Sequence, residues 1–194
     1  MKKNYSYIWI SLIVLIFGIY FVPKIVDRFK SASVVESDRL NVANRRELKE
    51  IGKAPAFSFT NQNHETITNA DYEGKVHLVE FFFSTCPTIC PVMNENMVKL
   101  QDEFGKDDRF AIASITIDPE TDTPEHLKEH AKFLGVTMKN WHFLTGSEDA
   151  IFALAKKFNM YVGKNDDAPG GFEHSGLFAL IDKNGKIRSR NMEN

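Results

Sequence analysis

The two cysteines of the chain lie close together, in Cys86-Pro87-Thr88-Ile89-Cys90-Pro91. Two thiols leave three chemistries open: a redox pair, a mixed-ligand metal site, or two unrelated core thiols. They are too few for a closed four-thiolate zinc site or for a disulfide-stapled scaffold. In a helical or turn-like loop, residues i and i+4 share a face, so both sulfurs can point at one acceptor. A helix starting behind them would favour thiolate. A purely structural disulfide explains the pair poorly, because closing so short a loop stabilises by roughly 2 kcal/mol at best in the chain-entropy model.

The elements that must position these thiols are readable on either side. Val76 to Phe83 (VHLVEFFF) is a mostly apolar run of strand length, as expected for a central strand covered on both faces, and it delivers the chain to Cys86. After Pro91, Val92, Met93, Met97, Leu100 and Phe104 recur at helical spacing, predicting a helix from Pro91 to Phe104 that ends at Gly105. Phe110 to Ile117 (FAIASITI) is a second buried strand. Thr123, Pro124 and Glu125 supply an N-cap, a first-turn proline and a first-turn acid for a helix running to Leu134 and stopping at Gly135. Trp141 to Thr145 is a third strand, followed by a helix capped by Ser147 and carrying Ile151, Leu154, Ala155 and Phe158. Gly176 to Ile181 and Lys186 to Ser189 flank an Asn184-Gly185 turn and form a hairpin, and a shorter hairpin is predicted within Ala56 to Thr68. The order is that of an α/β three-layer sandwich, with the cysteines at the carboxyl end of a strand where open α/β sheets place their chemistry.

Composition bounds the rest. With 43% apolar and 26% charged residues in 194, the chain has the make-up of one folded domain plus an appendage. A formal net charge of -2 and a pI near 6.3 lack the basic footprint of a dedicated nucleic-acid binder, so no nucleic-acid partner is expected. The appendage is N-terminal. Lys2 and Lys3 precede a charge-free run from Tyr5 to Val22 that would span roughly 27 Å as a helix, workable with interfacial Tyr5, Tyr7, Trp9 and Tyr20. The nearest small-x-small cleavage site, Ser31 and Ser33, is separated from the run by Lys24, Asp27, Arg28 and Lys30, which favours an uncleaved transmembrane helix over a signal peptide. Residues 1–30 therefore read as a membrane anchor with short flanks, 31–52 as a charged tether, and 53–194 as the folded domain.

Three segments in order make the chain resemble the SCO/SenC family of membrane-anchored, thioredoxin-like copper proteins: F-x-x-x-C-P-x-x-C-P from Phe82 to Pro91, D-P-x-x-D-T-P from Asp118 to Pro124, and aromatic-x-H-S from Phe172 to Ser175. The resemblance implies a thioredoxin-like fold, copper as the bound metal, and Cys86, Cys90 and His174 as its ligands. It also implies a redox-active pair able to form a disulfide. Two soft thiolates with one borderline imidazole suit a three-coordinate Cu(I) site, and added ligands would let the same trio hold Cu(II). The glycines of the preceding loop, Gly170 and Gly171, could let the backbone bring the imidazole toward the cysteines. The implied function is a metallochaperone that helps assemble the binuclear copper centre of cytochrome c oxidase. Its partners would be the subunit II copper centre, other copper chaperones or thiol reductants, and the membrane, with the soluble domain extracytoplasmic, most simply periplasmic. A membrane-anchored thiol-disulfide oxidoreductase and a copper or redox sensor are the alternatives.

Other side chains carry weaker signals. His126 and His130 are i, i+4 on a helix and could grip a metal, but the amphipathic, charged His126-Leu127-Lys128-Glu129-His130 favours a solvated face. Met93 and Met160 fall on apolar patterns and read as core. Asp118 and Asp122 could shape the loop near the site or dock a partner, and capping and turn chemistry explains them equally well. His64, His77 and His142 have no pattern to recommend them. Family members often carry an acid after the first Cys-Pro where this chain has Thr88, and often continue beyond the last hairpin, where this chain stops at Asn194.

Overall fold

The computed structural model describes residues 48–189. The predicted span from Tyr5 to Val22, the tether up to residue 47 and Arg190 to Asn194 lie outside them. Among the described residues no helix is long and apolar enough to cross a membrane.

Three strands built from the apolar runs lie side by side and parallel: β4 (Val76–Phe82), β5 (Phe110–Thr116) and β6 (Trp141–Thr145). With β1 (Lys49–Lys53) at one edge, β9 (Phe178–Ile181) and β10 (Lys186–Ser189) as the predicted C-terminal hairpin, and β2 (Ser58–Asn61) and β3 (Thr66–Thr68) as the predicted N-terminal one, an eight-stranded sheet forms around them in the order β1-β10-β9-β4-β5-β6-β2-β3. Every strand outside the central three pairs antiparallel to its neighbours. The crossovers supply the helices α1 (Cys90–Phe104), α2 (Pro124–Phe133) and α3 (Glu148–Lys157).

Adjacent residues of β4 show how the layers form. Successive side chains of a strand point to opposite faces. Phe82 stacks on His130 of α2 at 5.6 Å between ring centroids, whereas Phe81 meets Phe158, just past α3, at 6.2 Å. Helices therefore cover both faces of the central sheet. Helix α1 lies on the side of α2: buried Gln101 accepts the backbone N–H groups of Thr137 and Met138 and donates to the Gly135 carbonyl, stitching α1 to the loop after α2.

Local expectations meet the structure with a few corrections. Thr123 accepts from the His126 N–H as an N-cap should, but Ser147 makes no such bond, and the first turn of α3 is served by the charges of Glu148 and Asp149 instead. The tether boundary at 52/53 shifts, because β1 (Lys49–Lys53) pairs antiparallel with β10 and Glu50 meets Lys186 at 2.8 Å. Its charged composition suits an exposed edge strand as well as a tether. His174, expected in a loop, ends a short strand β8 (Phe172–His174) that pairs with β7 (Val162–Lys164), Val162 opposite His174.

Candidate metal centre

At the carboxyl end of β4 the chain turns sharply, the Cys86 N–H donating to the Phe83 carbonyl at 3.2 Å, and enters α1 with Cys90 as its first residue. Ile89 is the N-cap and offers no side-chain acceptor; Pro91 has no N–H and those of Val92 and Met93 bond the Ile89 carbonyl, which leaves the Cys90 N–H for the Cys86 sulfur. Cys86 and Cys90 are free thiols, 7% and 2% exposed.

The imidazole arrives from the other side of the strand end. Phe83 packs against Phe172 and edge-on to His174, with centroids 5.4 and 5.9 Å apart, so β8 is seated on the residue that opens the cysteine loop. Two glycines permit the approach. Gly170 has φ +84°, and a Cβ there would fall 2.7 Å from the Phe83 ring and 3.3 Å from Pro87. A Cβ at Gly176 would run into the Ile89 side chain, which lies between the cysteines. The result is a cluster in which one ligand atom from each of Cys86, Cys90 and His174 lies within 4.8 Å of the others, with Cys90 Sγ 3.3 Å from His174 Nε2.

The two thiols are electrostatically unequal. Burial would push Cys86 up, but the backbone N–H groups of Thr88 and Cys90, then the Cys90 thiol and Thr88 hydroxyl, outweigh it and hold it below the ordinary thiol value. The Thr88 hydroxyl is 3.6 Å from the Cys86 sulfur. Cys90 is pushed far up, chiefly by burial and further by the neighbouring Cys86 and Glu80. Burial also lowers His174, favouring the neutral imidazole that a metal requires. Limiting iodoacetamide at neutral pH is accordingly expected to label Cys86 before Cys90 in peptide mass mapping; the reverse order would contradict this assignment.

Beneath the cluster lies a residue that sequence reasoning passed over. Glu80 is fully buried on β4, its Oε1 accepting from Ser114 Oγ at 2.5 Å while Trp141 Nε1 donates to the same hydroxyl at 3.0 Å. Burial raises its pKa to about 7 despite the Ser114 bond. The signal was present as one carboxylate inside an apolar strand. Asp122 is a second buried acid, accepting from the Ser84 N–H (3.1 Å), the Ser84 hydroxyl and the Thr116 hydroxyl (2.5 Å). These bonds shape the loop near the site, since Ser84 stands two residues before Cys86. Asp118 caps its own turn at Thr121.

The remaining candidates fall elsewhere. Met93 and Met160 are buried. The solvated face expected for His126 and His130 holds for His126, which is exposed with Nε2 2.9 Å from Ser84 Oγ, and is corrected for His130, which turns inward onto Phe82 and Phe143. They do not form a metal pair with a third ligand among the described residues. His77 stacks on Tyr72 and His142 faces Asn61, both away from the cysteines, while His64 pairs with Glu125 on the surface.

The family model described as SCO1/SenC matches residues 45–193. The chain belongs to the SCO1/SenC family. Its SCO1/SenC relatives include a SCO1 protein homolog of Bacillus subtilis (strain 168), 33% identical over 133 residues that span 68% of this chain and 69% of that one. Among solved structures, the family resemblance extends to BsSco, described as a member of the Sco family of cytochrome c oxidase assembly proteins with a disulfide switch. It is 31% identical with a TM-score of 0.64, covering 74% of this chain and 86% of that one. ScoI of Bradyrhizobium japonicum, solved with copper bound, is 25% identical with a TM-score of 0.63 over 73% and 91%. The thioredoxin-like α/β fold of this SCO1/SenC chain is thus shared with relatives on either side of the copper and disulfide descriptions.

Proposed function

We propose that this chain is a copper-binding SCO protein that holds Cu(I) on Cys86, Cys90 and His174 and delivers it to the binuclear copper centre of cytochrome c oxidase. The observation that carries this is the convergence of two sulfurs and one imidazole nitrogen within 4.8 Å at the end of a central strand. The donor set fits the ion: two soft thiolates satisfy Cu(I), whereas zinc would call for a fourth ligand or an open position. The copper-bound relative and the cytochrome c oxidase assembly description of BsSco support the metal and the destination. The run from Tyr5 to Val22 would tether the domain to the membrane, with the copper site on its extracytoplasmic side.

Copper is cargo in this reading, so release matters as much as capture. A cleft of about 520 Å³ opens onto Cys86 and His174, while Cys90 lies behind them. An incoming thiolate meets the more exposed sulfur first, which orders ligand exchange from Cys86 toward Cys90. A second reading, a thiol-disulfide oxidoreductase with Cys86 attacking and Cys90 resolving, draws on the unequal thiols. His174 separates the two. In anaerobic titrations His174→Ala is expected to weaken Cu(I) binding by roughly 100-fold, about 2.7 kcal/mol. Unchanged affinity would remove the imidazole from the ligand set, and disulfide reductase activity without copper binding would favour the oxidoreductase.

A further inference from the structure

The end of the sheet opposite the metal cluster holds a cavity of about 710 Å³ that the copper reading leaves unused. His77, the second residue of β4, lines it, and at about 3.3 Å per strand residue it stands roughly 20 Å from the cysteine loop that follows Phe83. Tyr72 lines it too, the two rings stacked with centroids 4.6 Å apart. Tyr72 is 3% exposed and His77 5%, yet Tyr72 Oη and His77 Nδ1 have no hydrogen-bond partner among the described residues. Unbonded polar atoms are rare in protein interiors, and two on adjacent rings of one cavity point to a ligand that bonds them. Burial lowers the His77 pKa to about 4, so at neutral pH its imidazole offers a hydrogen bond and no charge.

The walls are held in place. Asn69 accepts from the Phe57 N–H at 2.8 Å and donates to the Pro55 carbonyl at 3.1 Å, while the Ala54 N–H donates to the Gly185 carbonyl at 2.9 Å. The buried aromatic pair forms the floor of the cavity, and exposed Lys53, Glu73 and Lys183 form its mouth. Two ammonium groups against one carboxylate leave the mouth with one net positive charge. We infer that this cavity is a binding site for a small aromatic acid whose ring carries a hydroxyl group remote from its single carboxylate. The carboxylate meets Lys53 and Lys183, and the ring lies on the Tyr72–His77 pair, where stacked aromatic faces favour another ring. A hydroxyl both donates and accepts, so it matches Tyr72 Oη and either tautomer of His77. The site is separate from Cys86, Cys90 and His174 and does not depend on the copper reading.

Saturation-transfer NMR on the full chain in lipid nanodiscs tests it, with benzoate, 4-hydroxybenzoate and 4-hydroxybenzyl alcohol as probes. The hydroxy acid is expected to bind roughly five-fold tighter than benzoate and roughly five-fold tighter than the uncharged alcohol. Lys53→Gln/Lys183→Gln should erase the preference for acid over alcohol while loading Cu(I) normally. Tyr72→Phe removes a hydroxyl that bonds nothing in the fold, so its melting temperature should not fall, whereas the advantage of 4-hydroxybenzoate over benzoate should disappear. Three results would each overturn the proposal: the alcohol binding as tightly as the acid, a hydroxyl preference that survives Tyr72→Phe, or no saturation transfer to any probe at about 5 mM. The lysine variant judges the site whether or not Tyr72→Phe folds.

Discussion

Cys90→Ser is expected to lower Cu(I) affinity by roughly three orders of magnitude, about 4 kcal/mol, and more than Cys86→Ser does. Apparent binding energies at structural metal sites are of order 10–16 kcal/mol, so losing one of three ligands should remove about a third of that. The asymmetry between the cysteines comes from position. Cys90 is 2% exposed, begins α1, lies 3.3 Å from His174 Nε2 and is absent from the cleft lining. A serine there offers a hard oxygen where no water or partner group can enter as a substitute. Cys86 borders the cleft, so a solvent molecule or an added thiol can take its place. Competition titrations against a chelator of known Cu(I) affinity, with both variants side by side, measure this. An equal or smaller loss for Cys90→Ser would show that the buried sulfur is not the anchor of the site.

Asp122→Ala is expected to cost about 3 kcal/mol of stability. One fully buried carboxylate satisfies the Ser84 N–H, the Ser84 hydroxyl and the Thr116 hydroxyl, and it lies 3.8 Å from His126 Nε2. Alanine would leave those donors without their acceptor inside the fold. For a domain of this size the melting temperature should drop by roughly 10 °C in circular dichroism. Asp122→Asn retains one acceptor oxygen and should lose less. Because Ser84 precedes Cys86 by two residues, the alanine variant should also bind Cu(I) more weakly at temperatures where it remains folded. A melt unchanged from wild type would show that the buried network does not hold the cysteine loop.

His174 marks how far the residues could be read unaided. Its loop glycines suggested a close approach, and Gly170 does pack on Phe83 and Pro87. The short β7–β8 pairing that aims the ring was not legible, because three-residue strands with no clear alternation carry almost no periodic signal. Strand β1 escaped for a related reason: its KEIGK sequence is mostly exposed, and a charged edge strand and a charged tether look alike. By contrast, Val76 to Phe82 and Phe110 to Thr116 were readable as central strands because burial on both faces demands continuous apolar runs.

The sequence by itself determined the element order, the placement of both cysteines at a strand-to-helix junction, and, through three ordered motifs, the family. Those features depend on local periodicity and on residue types at fixed spacing. Only the tertiary structure decided that His174 meets Cys90, that Asp122 reaches back across the sheet end to Ser84, and that Glu80 sits unseen beneath the thiols. It also decided that Cys86 and Cys90 differ, since a thiol responds to the N–H groups and burial around it and not to its neighbours in the chain alone. The types of the proposed ligands are written along the chain; their distances and protonation belong to the fold that brings distant segments together.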